Sequence, residues 1–278
     1  MISGPSNSPG TPHNPTPGAP FDPAAGDYDR LFEENPITKR IRPLVWQSLL
    51  NRFRPGTRVL ELNCGTGTDA IMLAGQGIRV TAIDASERMI EQAQRKIRQK
   101  HLEPSVTLKH MKFEDLDALY GDTFDGAFSN FGGLNCTGEL LPTMAKLSTL
   151  IRPEGYFIAC VMNRVALWEM ISFLAKGNWS STFRRLRRDG AEVFLGGASA
   201  PVWYYSPGQF KKLIAPWFLV ENTYGLNILS PSPSSRSFAL RYPDATGRLL
   251  ELDGRIRFRF PWYALGDHFV VEARRRPT

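Results

Sequence analysis

The chain has 278 residues, a hydrophobic content of 42% and a formal net charge of +7. That length holds one large domain or a domain with an insertion, and that composition supplies an ample core. No run of about 18 apolar residues occurs, so no membrane span is expected. The three cysteines, Cys64, Cys136 and Cys160, are odd in number and far apart, and none has C-x-x-C spacing. This excludes a disulfide framework and a zinc site, so no metal is expected, and it points to the reducing cytoplasm.

Residues 1–26 carry seven prolines among Gly, Ser, Asn and Thr. Such a segment cannot pack as a helix or strand and is expected to be a disordered tail. It lacks the basic start and apolar centre of a secretory signal. Residues 27–34 read as a short helix. Residues 37–53 read as a longer one, with Ile41, Leu44, Val45, Leu49 and Phe53 at helical spacing. Pro43 within it predicts a kink or a break.

Val59, Leu60 and Leu62 form a short buried strand. Asn63-Cys64-Gly65-Thr66-Gly67 is a small turn, and a helical pattern begins near Ala70. A strand feeding a helix through a glycine turn brings bare amides and a helix N-terminus close to a ligand. Residues 78–84 form a second strand that ends on Asp84, where a carboxylate can accept both hydroxyls of a ribose. Ser86 then caps a helix with Glu87 in its first turn, and Met89 and Ala93 share one face.

Glu61-x-Asn63-x-Gly65-x-Gly67, followed by Asp84-x-Ser86-x-x-Met89-x-x-x-Ala93, resembles the class I S-adenosylmethionine-dependent methyltransferases. That resemblance implies a doubly wound α/β fold with a mostly parallel seven-stranded sheet and an antiparallel last strand. It implies S-adenosylmethionine as cofactor, with S-adenosylhomocysteine as product. Glu61, Asn63, Cys64, Gly65 and Gly67 would hold it at the turn, and Asp84, Ala85 and Met89 beyond the second strand. The family usually has glycine at Asn63. Asparagine is the non-glycine residue that best tolerates positive φ, so this position is expected there. A dehydrogenase G-x-G-x-x-G is only half matched by Gly65, Gly67 and Ala70. The leading helices, 27–53, would fold over the cofactor pocket as a lid, with Tyr28 closing the site or simply packing at a helix start.

Residues 106–111 form the third strand. The family's usual acid at the adenine ring is replaced by Lys112, leaving Glu114 and Phe113 as the contacts. Residues 123–129 form the fourth strand, whose carboxyl end carries Asn130 toward the transferring methyl. The Asn-Pro-Pro-aromatic sequence of amino-methylating relatives is absent, because Phe131 and Gly132 follow Asn130. Cys136 reads as a structural cysteine more readily than as a nucleophile. A helix over 137–150 with Thr137 as its cap, a turn at 152–155 and a fifth strand at 156–161 complete the cofactor-binding half, 57–163.

Residues 164–205 read as a cap inserted over the acceptor pocket, with Trp168, Trp203, Tyr204 and Tyr205 either binding the acceptor or forming a satellite core. Residues 206–278 hold the remaining elements: a helix capped by Ser206, strands at 218–222 and 269–273, a loop at 230–237 and a helix at 243–257. An antiparallel last strand would begin at the ligand edge, placing His268 there as a base beside Asp267. A packing role is the alternative for this histidine. Asn130 and Tyr28 complete the catalytic set.

The acceptor is expected to be a small molecule. The runs Arg184–Arg188, Arg255–Arg259 and Arg274–Arg276 suit a solvated surface and leave a nucleic-acid acceptor open. A non-catalytic cofactor-binding protein is the third alternative.

Overall fold

The computed structural model describes residues 22–23, 25–187, 190–195 and 198–277. Most of the expected disordered tail lies outside the described residues. Its last part makes ordered contacts: Asp22 accepts a hydrogen bond from Ser86 Oγ, and Ala25 is buried. The packed domain therefore starts before residue 27.

Strands and helices alternate because parallel neighbours need a crossover, and the crossover helices cover both sheet faces. After the short helical turn Asp29–Glu33 come α1 (Thr38–Arg52), β1 (Arg58–Leu62), α2 (Thr68–Gly75), β2 (Arg79–Asp84), α3 (Glu87–Gln99) and β3 (Val106–His110). Then follow β4 (Phe124–Ser129), α4 (Leu140–Leu150) and β5 (Ile151–Met162). The insertion holds α5 (Leu167–Ala175), α6 (Trp179–Thr182) and a separate antiparallel hairpin, β6 (Ala191–Leu195) with β7 (Ala198–Val202). The chain closes with α7 (Pro207–Ile214), β8 (Phe218–Leu226), α8 (Arg236–Arg241), α9 (Pro243–Ile256) and β9 (His268–Arg275).

The main sheet has the order β3-β2-β1-β4-β5-β9-β8. β1 to β5 pair in parallel, and β9 runs antiparallel to both β5 and β8. This is the expected seven-stranded architecture. Successive residues of β9 serve opposite faces. Phe269 and Val271 join Leu140, Met144, Phe210 and Ile214 in one core. Val270 joins Ile41, Leu49, Cys160 and Phe128 in the other. Each fully buried large side chain of these layers contributes roughly 1.5–3 kcal/mol.

Local details differ from the sequence reading in three places. α1 runs through Pro43 as one element, because Ile41, Val45 and Leu49 anchor its buried face on both sides of the proline. Thr137 does not cap α4: its Oγ1 accepts from the Glu139 amide, and the helix begins at Leu140. Residues 152–155 are an irregularity inside β5, where pairing slips between Phe124/Ile151 and Gly126/Tyr156 and Glu154 takes φ 65°. Ser86 and Ser206 cap α3 and α7 as expected.

Candidate active site at the carboxyl edge of the sheet

Between β1 and α2, Asn63, Gly65 and Gly67 have φ of 55°, 53° and 78°. Asn63 thus adopts the left-handed conformation expected of a residue standing where glycine is usual. Its amide ties the turn to the end of β4. Oδ1 accepts from Ser129 Oγ at 2.5 Å, and Nδ2 donates to the Asn130 carbonyl at 2.9 Å. Gly133 makes room for that amide, since a Cβ there would lie 1.9 Å from Asn63 Cγ. Gly67 must be bare for another reason: a Cβ would meet that of Ala93 at 2.9 Å, where α2 and α3 pack.

Asp84 stands across this turn. Oδ2 accepts from the Gly65 amide at 2.8 Å, and Oδ1 from the Ser86 amide at 2.9 Å. Burial pushes its carboxyl up, and the two amide bonds only partly offset that rise. Ala85 offers its carbonyl 3.0 Å from His110 Nε2. Met89 is buried in the first turn of α3. Cys64 faces the core, and burial raises its thiol well above the ordinary range, so only its backbone borders the turn.

Glu61 is 2% exposed, and burial, with Asp69 adding to it, pushes its carboxyl well up. Its Oε2 and the Oδ1 of Asn130 are buried acceptors with no donor. Unpartnered acceptors beside a nucleoside-binding turn fit a ligand that brings its own N–H donors. The α-ammonium of S-adenosylmethionine is such a donor, and the Asp84 carboxylate has lone pairs to spare for its ribose.

The N-terminal segment lies over the turn. Tyr28 stacks on Phe32 with 4.5 Å between centroids, and its ring would be 3.8 Å from a Cβ on Gly65. Burial raises its phenol above the usual value. Asp29 accepts from Thr66 Oγ1 at 2.5 Å and pairs with Lys96 at 2.8 Å. Arg42 of α1 bridges Glu33 at 2.8 Å and Asp69 at 2.7 Å. Asp69 also accepts from Trp46 Nε1 at 2.6 Å and Asn130 Nδ2 at 2.8 Å. One buried carboxylate thus joins lid, turn and β4.

Beyond β3, Phe113 is half-buried against the core. Glu114 is exposed, with Oε1 accepting from Thr137 Oγ1 at 3.3 Å. β9 starts at the edge where the parallel strands end, with His268 paired opposite Met162 and Leu226. His268 is 6% exposed. Its Nδ1 lies 2.8 Å from Asp267 Oδ2, close enough for charge to act but without the alignment of a hydrogen bond. The ring stands edge-on to Phe131, over which Arg42 lies at 4.7 Å.

The four aromatic acceptor candidates of the insertion do not form one group. Trp203, Tyr204 and Tyr205 line a cavity of about 270 Å³ with Arg164, Arg187 and Gln209. Trp168 turns away from it, donating to Ser235 Oγ at 3.1 Å and packing on Phe238. The buried Tyr204 hydroxyl has no partner.

Sequence reasoning missed Asp69, Arg42 and Trp46. The signal was the spacing of Arg42 and Trp46, four apart on one helix face, with an acid in the first turn of α2. It also missed Glu169 and Arg185, for which no local pattern exists. Much of the basic surface is internally occupied. Arg184 and Arg185 pair with Glu169, Arg274 pairs with Glu221, and Arg275 donates to the Ile151 carbonyl. Among the described residues no helix is long and apolar enough to cross a membrane, and no cluster of three metal-ligating side chains occurs.

A family model described as a methyltransferase domain matches residues 53–193. A Diels–Alderase of Talaromyces variabilis, named as S-adenosyl-L-methionine-dependent, is 32% identical over 39% of this chain and 37% of its own length. The glycine N-methyltransferase of Mus musculus is 31% identical over 41% of this chain and 43% of its own. The chain therefore spans less than half the length of these two curated relatives. The crystal structure of the [4+2]-cyclase SpnF superposes with a TM-score of 0.60 at 16% identity, covering 94% of this chain and 95% of that one, and so shares the fold. This chain belongs to the class I S-adenosylmethionine-dependent methyltransferase family.

Proposed function

We propose that the chain transfers the methyl group of S-adenosylmethionine to a small-molecule acceptor. The observation that carries this reading is the pairing of the Asn63–Gly67 turn with Asp84, beside two buried acceptors that lack donors. Bound S-adenosylmethionine supplies an activated methyl on a sulfonium, so the protein's task is mostly to position and desolvate.

Each residue's role follows from its chemistry. Asp84 accepts the ribose hydroxyls, while Glu61 and Asn130 take the ammonium. The backbone of Cys64, Gly65 and Gly67 borders the turn, with Ala85 and Met89 beside the nucleoside. Phe113 walls the adenine, and Glu114 accepts from its amine. Tyr28 covers the turn and excludes water. His268, beside an ionised Asp267, accepts the proton of a hydroxyl or ammonium acceptor. The cavity lined by Trp203, Tyr204, Tyr205, Arg164 and Gln209 supports a planar, polar acceptor. Trp168 holds the insertion on α8. The three free cysteines support a cytoplasmic setting.

Titration calorimetry with S-adenosylmethionine and S-adenosylhomocysteine tests the cofactor half, and micromolar binding of both is expected, a Kd for which ΔG° is about −8 kcal/mol. Absence of binding by either removes the reading. A second reading, a cyclase that keeps its cofactor intact, is favoured by the relative named as a Diels–Alderase. Formation of S-adenosylhomocysteine in step with acceptor consumption separates the two. Nucleic-acid methylation has weaker support, because many arginines of the basic runs are tied to internal carboxylates and carbonyls.

A further inference from the structure

We propose that Arg185, carried by the insertion, is a positioning residue: it holds Asp267 against His268 and sets the charge that this imidazole faces. Seating of the insertion and readiness of the acceptor-side base then become one event. The inference rests on the reading of His268 as that base.

Arg185 is 5% exposed. A buried guanidinium is tolerated only when its charge is matched and its donors are used. Here both conditions are met. Nε donates to Glu169 Oε1 at 3.1 Å, and Nη2 donates to Glu169 Oε2 and Asp267 Oδ1, both at 2.6 Å. Nη1 donates to the carbonyls of Asn163 at 3.1 Å and Asp267 at 3.2 Å. Those five bonds equal the number of N–H groups a guanidinium has. The partners come from α5, from the residue after β5 and from the residue before β9. Tyr204 packs beneath, with its ring centroid 4.9 Å from the guanidinium carbon. A lysine offers the charge but cannot reproduce the fork.

Asp267 has one oxygen on Arg185 and the other 2.8 Å from His268 Nδ1. Burial alone would push its carboxyl up, yet the Arg185 guanidinium and the His268 imidazole outweigh it and hold it well below the usual carboxylate range. The groups around the imidazole can be named from each packed element. Asp267 immediately precedes its strand. Glu169, Arg184 and Arg185 come from the insertion, and Arg184 donates to Glu169 at 2.9 Å. Tyr204 has its phenol raised by burial, and Cys160 of β5 has its thiol pushed up to about 12, so both are neutral. Arg42 lies beyond Phe131. Two carboxylates face two guanidinium groups in the insertion cluster, so Arg185 is the cation that balances Asp267 before His268 takes a proton.

The test is an NMR titration of the imidazoles in the full chain, which has four histidines. The His268 signal is assigned by its loss in H268Q. In R185M the midpoint of His268 should move up by about one pH unit, because a nearby positive charge is gone. In E169Q it should move down, because a negative charge is gone. R185K should keep the wild-type midpoint while loosening the insertion, since charge is kept and the fork is lost. Hydrogen exchange over residues 164–187 should quicken in R185M and R185K. If R185M fails to fold, judged by loss of a cooperative unfolding transition, E169Q and R185K carry the test. An unchanged midpoint in E169Q or in a folded R185M, a moved midpoint in R185K, or shifts in the same direction in R185M and E169Q, would overturn the proposal. Undiminished turnover of H268A would remove the base reading and leave the titration result standing.

Discussion

The two halves of the ligand edge are built on different scales. In the cofactor half most of the functional groups lie between Glu61 and Met89 and are held mainly by backbone. Asp84 is fixed by the amides of Gly65 and Ser86, and Asn63 by the end of the neighbouring strand. In the acceptor half the groups are held by side-chain charge across long separations. Arg185 reaches Asp267 across 82 positions and Glu169 across 16. A turn on a strand end is stiff because the sheet is stiff. A buried ion cluster is stiff only while each charge keeps its partner. The cofactor half should therefore tolerate loss of one side chain with a local penalty, whereas charge-held junctions should fail more broadly.

The largest expected effect tests that contrast at the one place where the cofactor half also depends on buried charge. Asp69→Ala removes the acceptor shared by Arg42, Trp46 and Asn130. It leaves Arg42, 8% exposed, with Glu33 as its remaining carboxylate. Breaking a buried pair from one side costs about 3–5 kcal/mol. Denaturant unfolding of the variant should show that loss as a lower midpoint with an unchanged slope. A loss under 1 kcal/mol would mean that the Asp69 junction is screened like a surface pair.

Next in size is Asp84→Ala. If Asp84 holds the ribose as proposed, its loss removes charge-assisted contacts and should weaken S-adenosylhomocysteine binding by roughly 1.5–3 kcal/mol, or about 10- to 150-fold. Stability should change less than in the Asp69 variant, because only two amides lose an acceptor there. Calorimetry reads the affinity, and an unaltered Kd would show that the ribose lies elsewhere.

A smaller effect isolates the residue that replaces the usual glycine. Gly133→Ala drives a methyl into the Asn63 amide and should cost roughly 1–3 kcal/mol of stability as overpacking. Asn63→Gly removes the obstacle, so the double variant should recover most of that loss. A double-mutant cycle with no coupling would show that the backbone, not the amide, absorbs the clash.

The same difference of scale explains what was legible in the sequence. The mostly parallel sheet with its antiparallel last strand, implied by the family resemblance, matches the structure, as do the positive φ of Asn63 and the cap at Ser86, which follow from local patterns. His268 could be placed at the ligand edge because strand direction alone puts it there. Trp168 could not be told from Trp203, because both sit in an aromatic-rich stretch whose folding depends on distant partners. Arg185 looked like one more basic surface residue in a run of arginines. Only the tertiary fold sets Glu169 and Asp267 around it. The Asp69 junction is intermediate, since each of its contributors has local spacing but their meeting does not.

The smallest expected effect lies at the seam between the halves. Cys136 ends the helical turn Gly133–Cys136, and its Sγ lies 3.7 Å from the Gly132 carbonyl. Burial pushes its thiol up to about 12, with Asp84 adding to the rise. A thiol held that far up stays protonated at pH 8 and is a poor nucleophile. Cys136→Ser should leave cofactor affinity and turnover within about twofold, the change expected of a substitution outside both charge systems. Alkylation of Cys136 by a thiol reagent in the folded chain should be slow at pH 8 and should speed up as pH climbs toward 12. Rapid modification at pH 7 would show that the seam opens in solution, and it would tie the two halves to one motion rather than to two separate supports.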